Sequence, residues 1–226
     1  MMDKLTGPNS TESGASLSAK EMDACVGSIA DYFGDCLSAI LKGDDVQNMI
    51  FSTKPIKMLK ALISVPDILL MRKVERFCKG LQSLSEIDRD RYARRIGELT
   101  SEREHVFLLN VINKTEEEEK LVFLANVFVA RTVCNLDEKN YRRLMLMIES
   151  TMFDDLVFLL KNYKKGPVTM ETSEALGLLS EGWVVYGGQT WGTIDSEDVK
   201  IYEYTKMAGC FYSIMNSGDK APQEFI

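Results

Sequence analysis

The chain has 226 residues, of which 45% are apolar and 27% charged, a composition typical of a globular protein with one large or two small hydrophobic cores. It contains no run of eighteen uncharged apolar residues and does not begin with a basic region followed by an apolar one. The sequence therefore predicts no membrane-spanning helix and no signal peptide, and it favours a cytoplasmic location. Its five scattered cysteines form no Cys-x-x-Cys pair, which predicts reduced thiols rather than disulfides or zinc ligands.

Charge is distributed unevenly along the chain, whose formal net charge is −7. Residues 54–95 carry eleven basic and five acidic side chains, whereas residues 167–226 carry three basic and nine acidic ones. A segment with a net charge of −6 repels phosphate, so the C-terminal part is not expected to bind nucleic acid.

The first predicted elements are a tail and a helix. Residues 1–17 are rich in Ser, Thr, Gly and Asn and predict a disordered tail. Residues 18–42 have apolar side chains at helical spacing, and three small residues on this helix, Ala30, Gly34 and Ser38, lie four apart. They predict close helix packing, either within the fold or in self-association. Insertion of this helix into a membrane, as in a membrane-perturbing effector, is the alternative, and the aspartates on the helix make it costly.

The middle of the chain predicts a series of helices. At four places a Ser or Thr precedes an acidic residue by three positions. This is the capping-box pattern, and each occurrence predicts the start of a helix. These pairs are Ser64 and Asp67, Ser85 and Asp88, Ser101 and Glu104, and Thr115 and Glu118. Residues 121–133 are apolar on nearly every side, which predicts the buried centre of the bundle. From Asp137 the helical period continues to Tyr163, which predicts one helix of about twenty-five residues with a bend near Ser150.

The C-terminal part predicts a small α+β module. Residues 171–176 predict a helix that ends at Gly177, residues 183–186 and 199–204 predict a β-hairpin, and Thr205 begins a closing helix. This order is the outline of a winged helix. We therefore predict a mainly α fold, with a multi-helix bundle over residues 18–166, a winged-helix-like module over residues 167–216 and a C-terminal tail over residues 217–226.

No pattern in the sequence predicts a catalytic, cofactor-binding or metal-binding site. His105 is the only histidine, and no nucleophile signature accompanies it. The carboxylates at 116–119, 154–155 and 195–198 are explained by helix starts and a loop, and Gly-rich nucleotide-binding motifs are absent. We therefore predict that the protein is not an enzyme and that it holds no cofactor and no metal.

Aromatic residues are dense in the C-terminal module, and Trp and Tyr commonly anchor protein interfaces. We predict that the module binds a protein partner, bacterial or phage, with Trp191 as the first candidate contact. For the other aromatic candidates, core packing is an equal alternative. The candidate partner-binding residues are Trp183, Tyr186, Trp191, Tyr202 and Tyr204.

The basic segment 54–95 offers an alternative function, that of a nucleic-acid-associated regulator. Its candidate anion-binding residues are Arg72, Lys73, Arg76, Lys79, Arg91, Arg94 and Arg95. We favour a solvated surface whose cations pair with acids elsewhere, because only Tyr92 interleaves with them as an aromatic residue.

Two stretches resemble known bacterial proteins. The segment Ser64-Val-Pro-Asp67, followed by residues 71–77 and Gly80-Leu81, resembles uncharacterised helical proteins of bacteria and prophages. The patterns Glu174-Ala-Leu-Gly-Leu-Leu179 and Tyr202-Glu-Tyr-Thr-Lys-Met-Ala-Gly209 are similar to helices of the abortive-infection alpha group. The resemblance implies a role in conflict between bacteria and phages, in defence or counter-defence, with no catalytic centre to carry over.

Overall fold

The computed structural model describes Phe33, Gly34, Leu37 and residues 65–82, 102–133, 136–190 and 199–216. The helices are α1 (Val65–Gln82), α2 (Glu102–Lys114), α3 (Lys120–Val133), α4 (Glu138–Ser150), α5 (Phe153–Asn162), α6 (Thr172–Ser180) and α7 (Lys206–Asn216). The strands are β1 (Pro167–Thr169), β2 (Val184–Thr190) and β3 (Val199–Tyr204). The described chain is thus mainly helical with one small sheet. The predicted tails and the predicted helix at 85–99 lie outside the described residues.

Helix α3 forms the centre of the fold, as its apolar sequence predicts. It packs against α1, α4 and α7. Side chains on most of its circumference are buried, because neighbouring helices cover three sides. The buried residues of α3 include Leu121, Leu124, Ala125, Val127, Phe128 and Ala130.

A buried ionic network joins three helices. Glu104 of α2 is 3% exposed, and its carboxylate oxygens pair with Arg131 Nη1 of α3 at 2.7 Å and Arg142 Nη2 of α4 at 3.0 Å. The Arg131 guanidinium also lies 4.5 Å from the Tyr141 ring centroid. Burial and the Glu104 carboxylate raise the pKa of Tyr141 well above 10. Helix α2 begins at Glu102, as the Ser101 pattern predicts, but the Glu104 side chain pairs with arginines from two other helices, and Ser101 lies outside the described residues.

Two predicted helix boundaries need correction. Thr115 does not cap α3, because its hydroxyl donates to the Val111 carbonyl at 2.8 Å and α3 begins five residues later. Helix α6 does not stop at Gly177 but continues to Ser180, and Gly182, with a φ of +77°, follows its end. A left-handed φ of this kind suits glycine at the end of a helix.

The sheet is antiparallel with strand order β1-β3-β2. The predicted hairpin is confirmed as β2 and β3, with Val184 opposite Tyr204 and Tyr186 opposite Tyr202. A bulge between Tyr186 and Gly188 shifts the register. Strand β1 was not predicted, because it is only three residues long and begins with proline.

One hydrophobic core continues from the helices into the sheet. The Phe211 ring of α7 lies 5.6 Å from the Phe123 ring of α3 and 5.1 Å from the Trp183 ring beside β2. On the other side of α7, Tyr212 stacks on Tyr163 at 4.5 Å. These aromatic contacts fix α7 and the sheet against α3 and α5.

Candidate functional site

The chain bends sharply between α4 and α5, at Thr151 and Met152. Both residues have extended backbone, with φ and ψ of −79° and 141° at Thr151 and −62° and 145° at Met152. The Thr151 hydroxyl donates to the Met147 carbonyl at 2.6 Å, which caps the end of α4. The predicted bend near Ser150 is therefore confirmed, but the prediction of one continuous helix from Asp137 to Tyr163 is wrong, since the chain forms two helices. We call this two-residue bend the elbow.

Lys120, the first residue of α3, binds the elbow directly. Its side chain is 4% exposed, and Nζ donates to the carbonyls of Glu149 at 2.8 Å and Thr151 at 2.9 Å. Nζ also lies 3.4 Å from Glu117 Oε2, and the same carboxylate oxygen accepts the backbone N–H of Phe153 at 2.9 Å. The ammonium thus satisfies carbonyls at the end of α4, where helix geometry leaves them without intrahelical donors.

Three contacts join the elbow to α6 and β2. Trp183 Nε1 donates to the Thr151 hydroxyl at 2.7 Å, and the Ser150 hydroxyl donates to the Glu181 carboxylate. In α6, Gly177 lies directly against Asp155, whose carboxylate occupies the space that a Cβ at Gly177 would need. The end of α4, the start of α5, α6 and the start of β2 therefore form one connected surface, which we call the elbow region.

Exposed apolar side chains are concentrated in the elbow region. Of the eight large apolar side chains that the described part of the chain exposes, six belong to it. They are Leu146 (48%), Met152 (66%), Leu176 (59%), Leu179 (37%), Val185 (49%) and Tyr186 (52%). Leu69 on α1 and Val122 on α3 are the other two. Val185 and Tyr186 follow each other on β2 and therefore point to opposite faces of the sheet, so at most one of them shares a face with the α6 side chains. Apolar exposure at this density is typical of a protein-interaction surface.

The elbow region is acidic. Residues 146–160 and 171–190 contain six carboxylates and no Lys or Arg. A groove of about 490 Å³ lies beside the elbow, and its lining includes three carboxylates and two lysines. The lining residues are Lys114, Glu116, Glu117, Lys120, Glu149, Ser150, Thr151 and Met152. Burial, together with the charges of Asp154 and Glu117, raises the pKa of Asp155. Negative charge is thus crowded beside apolar side chains, which suits a basic, apolar partner surface.

Asp155→Asn is expected to raise the free energy of unfolding at neutral pH. Because the pKa of Asp155 is higher in the folded than in the unfolded state, folding favours the neutral carboxyl. The stability that the neutral carboxyl contributes is fully present below pH 3.8 and is lost as the pH rises through the folded pKa. The increase in the free energy of unfolding from Asp155→Asn should be less than about 1 kcal/mol, since solvent screens the repulsion between Asp155 and its acidic neighbours. Urea unfolding at pH 7 and below pH 3.8 measures it.

The matched control for Asp155→Asn is Glu119→Gln, which removes an exposed carboxylate from the loop before α3. This control should leave the stability nearly unchanged. A loss of stability from Asp155→Asn at pH 7 would contradict the prediction. It would mean that the N-terminus of α5 attracts the Asp155 carboxylate more strongly than its neighbours repel it.

The predicted partner-binding aromatics occupy different environments. Trp183 and Tyr202 are 0% and 4% exposed, so both belong to the core and a partner cannot contact them in this conformation. Tyr204 is partly buried, and burial with the nearby Glu174 charge raises its pKa to about 12. Tyr186 is 52% exposed and is accessible to a partner. Trp191 lies outside the described residues.

The described residues of the predicted anionic-ligand patch lie on α1 and interact with neighbouring groups. Lys73 Nζ donates to the Asn113 carbonyl at 2.8 Å, Arg76 pairs with Glu118 at 3.0 Å, and Lys79 pairs with Glu75 at 2.7 Å. Arg72 is exposed. The pairs agree with the favoured interpretation of a solvated, paired surface, although their acids belong to the helical part rather than to the acidic C-terminal segment. Arg91, Arg94 and Arg95 lie outside the described residues.

The predicted small-residue helix contacts α2 of the same chain at Gly34. A Cβ at Gly34 would lie 3.2 Å from Cε1 of His105, whose ring packs edge-on against Phe33 at 6.0 Å. Gly34 thus permits close packing within the fold, which is one of its two predicted roles, and His105 has a structural environment. Ala30 and Ser38 lie outside the described residues.

Sequence reasoning missed most of the elbow region. The sequence of α6 does indicate exposed apolar residues. Leu176, Leu178 and Leu179 cover more of the helix circumference than a single buried face requires. Leu178 is buried, and the other two are exposed.

Fold and site together define a mainly helical protein with a small antiparallel sheet and an exposed, acidic apolar surface. No protein-family model, curated protein or solved structure matches the chain. Within the described residues, no helix is long and apolar enough to cross a bilayer. The same residues contain no group of three or more His, Cys, Asp or Glu side chains arranged to hold a metal ion.

Proposed function

We propose that this protein is a non-enzymatic interaction protein that binds another protein through the elbow region. The observation that carries the proposal is the location of six of the eight exposed large apolar side chains of the described chain in that region. Exposing them costs free energy in the monomer, which burial against a partner would recover.

The C-terminal segment supports protein binding rather than nucleic-acid binding. The order α6, β2, β3 and α7 and the sheet order β1-β3-β2 suit a winged-helix-like module, although a single helix connects β1 to β2. The segment is acidic, so it lacks the phosphate contacts that dominate nucleic-acid affinity. The exposed Tyr186 on β2 would extend the contact surface beyond α6. Trp191, which lies outside the described residues, stays a predicted contact.

The biological setting that we propose is conflict between bacteria and phages, in the cytoplasm. It rests on the resemblance to the abortive-infection alpha group. The leucine-glycine-leucine pattern at 174–179 lies within α6, and the Tyr202–Gly209 pattern spans the end of β3 and the start of α7. The first of these patterns supplies Leu176 and Leu179 to the elbow region, which links the resemblance to the candidate site.

Affinity capture tests this proposal. The tagged wild type, Leu176→Ser and the matched control Val122→Ser are expressed in uninfected and phage-infected bacteria, and nuclease-treated eluates are identified by mass spectrometry. Val122 is 41% exposed on α3, outside the elbow region. We expect a protein partner that is retained by Val122→Ser and lost with Leu176→Ser. A partner retained equally by both variants, or recovery of nucleic acid alone, would contradict the proposal.

A further inference from the structure

Helix α1 presents one exposed stripe that combines an apolar side chain with three cations. Leu69, Arg72, Arg76 and Lys79 are all exposed, and their spacing places them on one side of the helix. The segment that contains α1, residues 54–95, has a net charge of +6. An amphipathic helix of this kind can lay its apolar residue against an apolar surface while its cations meet carboxylates.

We propose that the α1 stripe of one copy of this chain docks onto the elbow region of a second copy. The proposal rests on the proposed function, because it uses the same surface and names the partner as another molecule of the same chain. Charge complementarity carries it, since residues 146–160 and 171–190 supply six carboxylates without a Lys or Arg, and the α1 stripe supplies three cations beside Leu69. Arg76 and Lys79 pair with Glu118 and Glu75 within the chain, and these solvent-accessible pairs are weak enough to be exchanged for carboxylates of a second copy.

The contact joins two different surfaces, so it is heterologous. Each copy offers one α1 stripe and one elbow region, and both can be occupied at the same time by different neighbours. A heterologous contact adds copies head to tail, which gives a ring if the rotation closes and an open chain if it does not. Self-association should therefore extend beyond a dimer.

The contact is small and electrostatic. From Leu69 to Lys79 the helix rises about 15 Å, so the interface falls in the small class that binds weakly. Its carboxylates include Asp155, whose pKa is raised first by burial and then by the charges of Asp154 and Glu117, and an incoming guanidinium would offset those neighbouring charges. Association should therefore weaken as the ionic strength rises.

Sedimentation velocity of the full chain tests this, over protein concentrations of roughly 1 μM to 1 mM, which span the dissociation constants of weak complexes. The wild type should sediment faster as its concentration rises, and less so at about 1 M salt, where charges are screened within roughly 3 Å. Arg72→Glu disrupts the α1 stripe, and the double variant Leu176→Ser/Leu179→Ser disrupts the elbow region. Each variant alone should stay monomeric, whereas an equimolar mixture of the two should form a single 1:1 complex, because each retains the surface that the other lacks.

Lys139→Glu serves as the matched control, since Lys139 is exposed at the first turn of α4, at the opposite end of that helix from the elbow, and this variant should associate as the wild type does. A wild type that is monomeric throughout, or a mixture that stays monomeric, would overturn the inference. The proposed function would survive a monomeric wild type if affinity capture still returned a partner that depends on Leu176. Circular dichroism of each variant separates loss of a surface from loss of the fold.

Discussion

Glu104→Gln is expected to lower the free energy of unfolding by about 3–5 kcal/mol, the range found when one member of a buried ion pair is removed. Glu104 bridges Arg131 and Arg142, and the Gln side chain keeps the shape while removing the carboxylate. Arg142 keeps its pair with Glu138, whereas Arg131, whose side chain is only 10% exposed, loses its ion pair with Glu104. Urea unfolding followed by circular dichroism at neutral pH measures the loss.

The matched control is Glu138→Gln. Glu138 pairs with the same Arg142 at 3.0 Å, but its side chain is 64% exposed. Exposed pairs contribute at most about 1 kcal/mol, so this variant should lose little stability. Equal losses from Glu104→Gln and Glu138→Gln would contradict the view that burial gives the Glu104 network its importance.

Trp183→Ala has the second largest expected effect, a loss of about 3–5 kcal/mol in the free energy of unfolding, because a large buried ring is replaced by a cavity. The ring packs against Phe211 and donates to Thr151 at the elbow. Trp183→Phe retains most of the packing and loses the hydrogen bond, so it should cost about 1–2 kcal/mol. Guanidinium unfolding of both variants gives the two values.

Tyr186→Ala is the control for Trp183, because it removes an exposed aromatic ring from the neighbouring strand. It should cost no more than about 1 kcal/mol. The comparison also bears on binding, since a partner lost with Trp183→Ala would report unfolding, whereas a partner lost with a stable Tyr186→Ala variant would report contact. A stability loss from Tyr186→Ala as large as that from Trp183→Ala would contradict the assignment of Trp183 to the core and Tyr186 to the surface.

Sequence reasoning predicted the elements whose structure depends on local pattern. Residues 121–133 are apolar on nearly every side, and only a helix surrounded by others can bury such a surface, so α3 was recognised as the centre. The hairpin at β2 and β3 followed from β-branched and aromatic runs separated by turn-forming residues.

The sequence predicts a bend near Ser150, but it could not predict a full break between two helices, because the contacts that hold the elbow are distant in sequence. Ile148, Met152 and Leu156 keep the helical period through the bend, and the elbow itself contains neither glycine nor proline. Lys120 and Trp183 stabilise it from about thirty residues away on either side. Local periodicity contains no information about these partners.

Glu104 shows how one pattern can have two interpretations. The spacing Ser101 to Glu104 matches a capping box, but Glu104 also precedes Leu108 and Val111 on the buried face of α2. That second spacing was visible in the sequence and would have placed the carboxylate in the core. Its two arginine partners belong to other helices and could not be identified from spacing alone.

The strand order has a consequence for synthesis of the protein on the ribosome. Strand β1 pairs with β3 within the described sheet, so Thr169 has no strand partner until Ile201 has been synthesised. Helix α7, whose Phe211 contacts Phe123 and Trp183, follows β3 in the chain. N-terminal segments emerge first during translation. A nascent chain that pauses before residue 199 therefore exposes unpaired strands and uncovered aromatic rings. Exposed apolar surface and unpaired strand edges make an incomplete chain prone to aggregation, so we expect the yield of folded protein to fall when translation pauses before the last strand and helix.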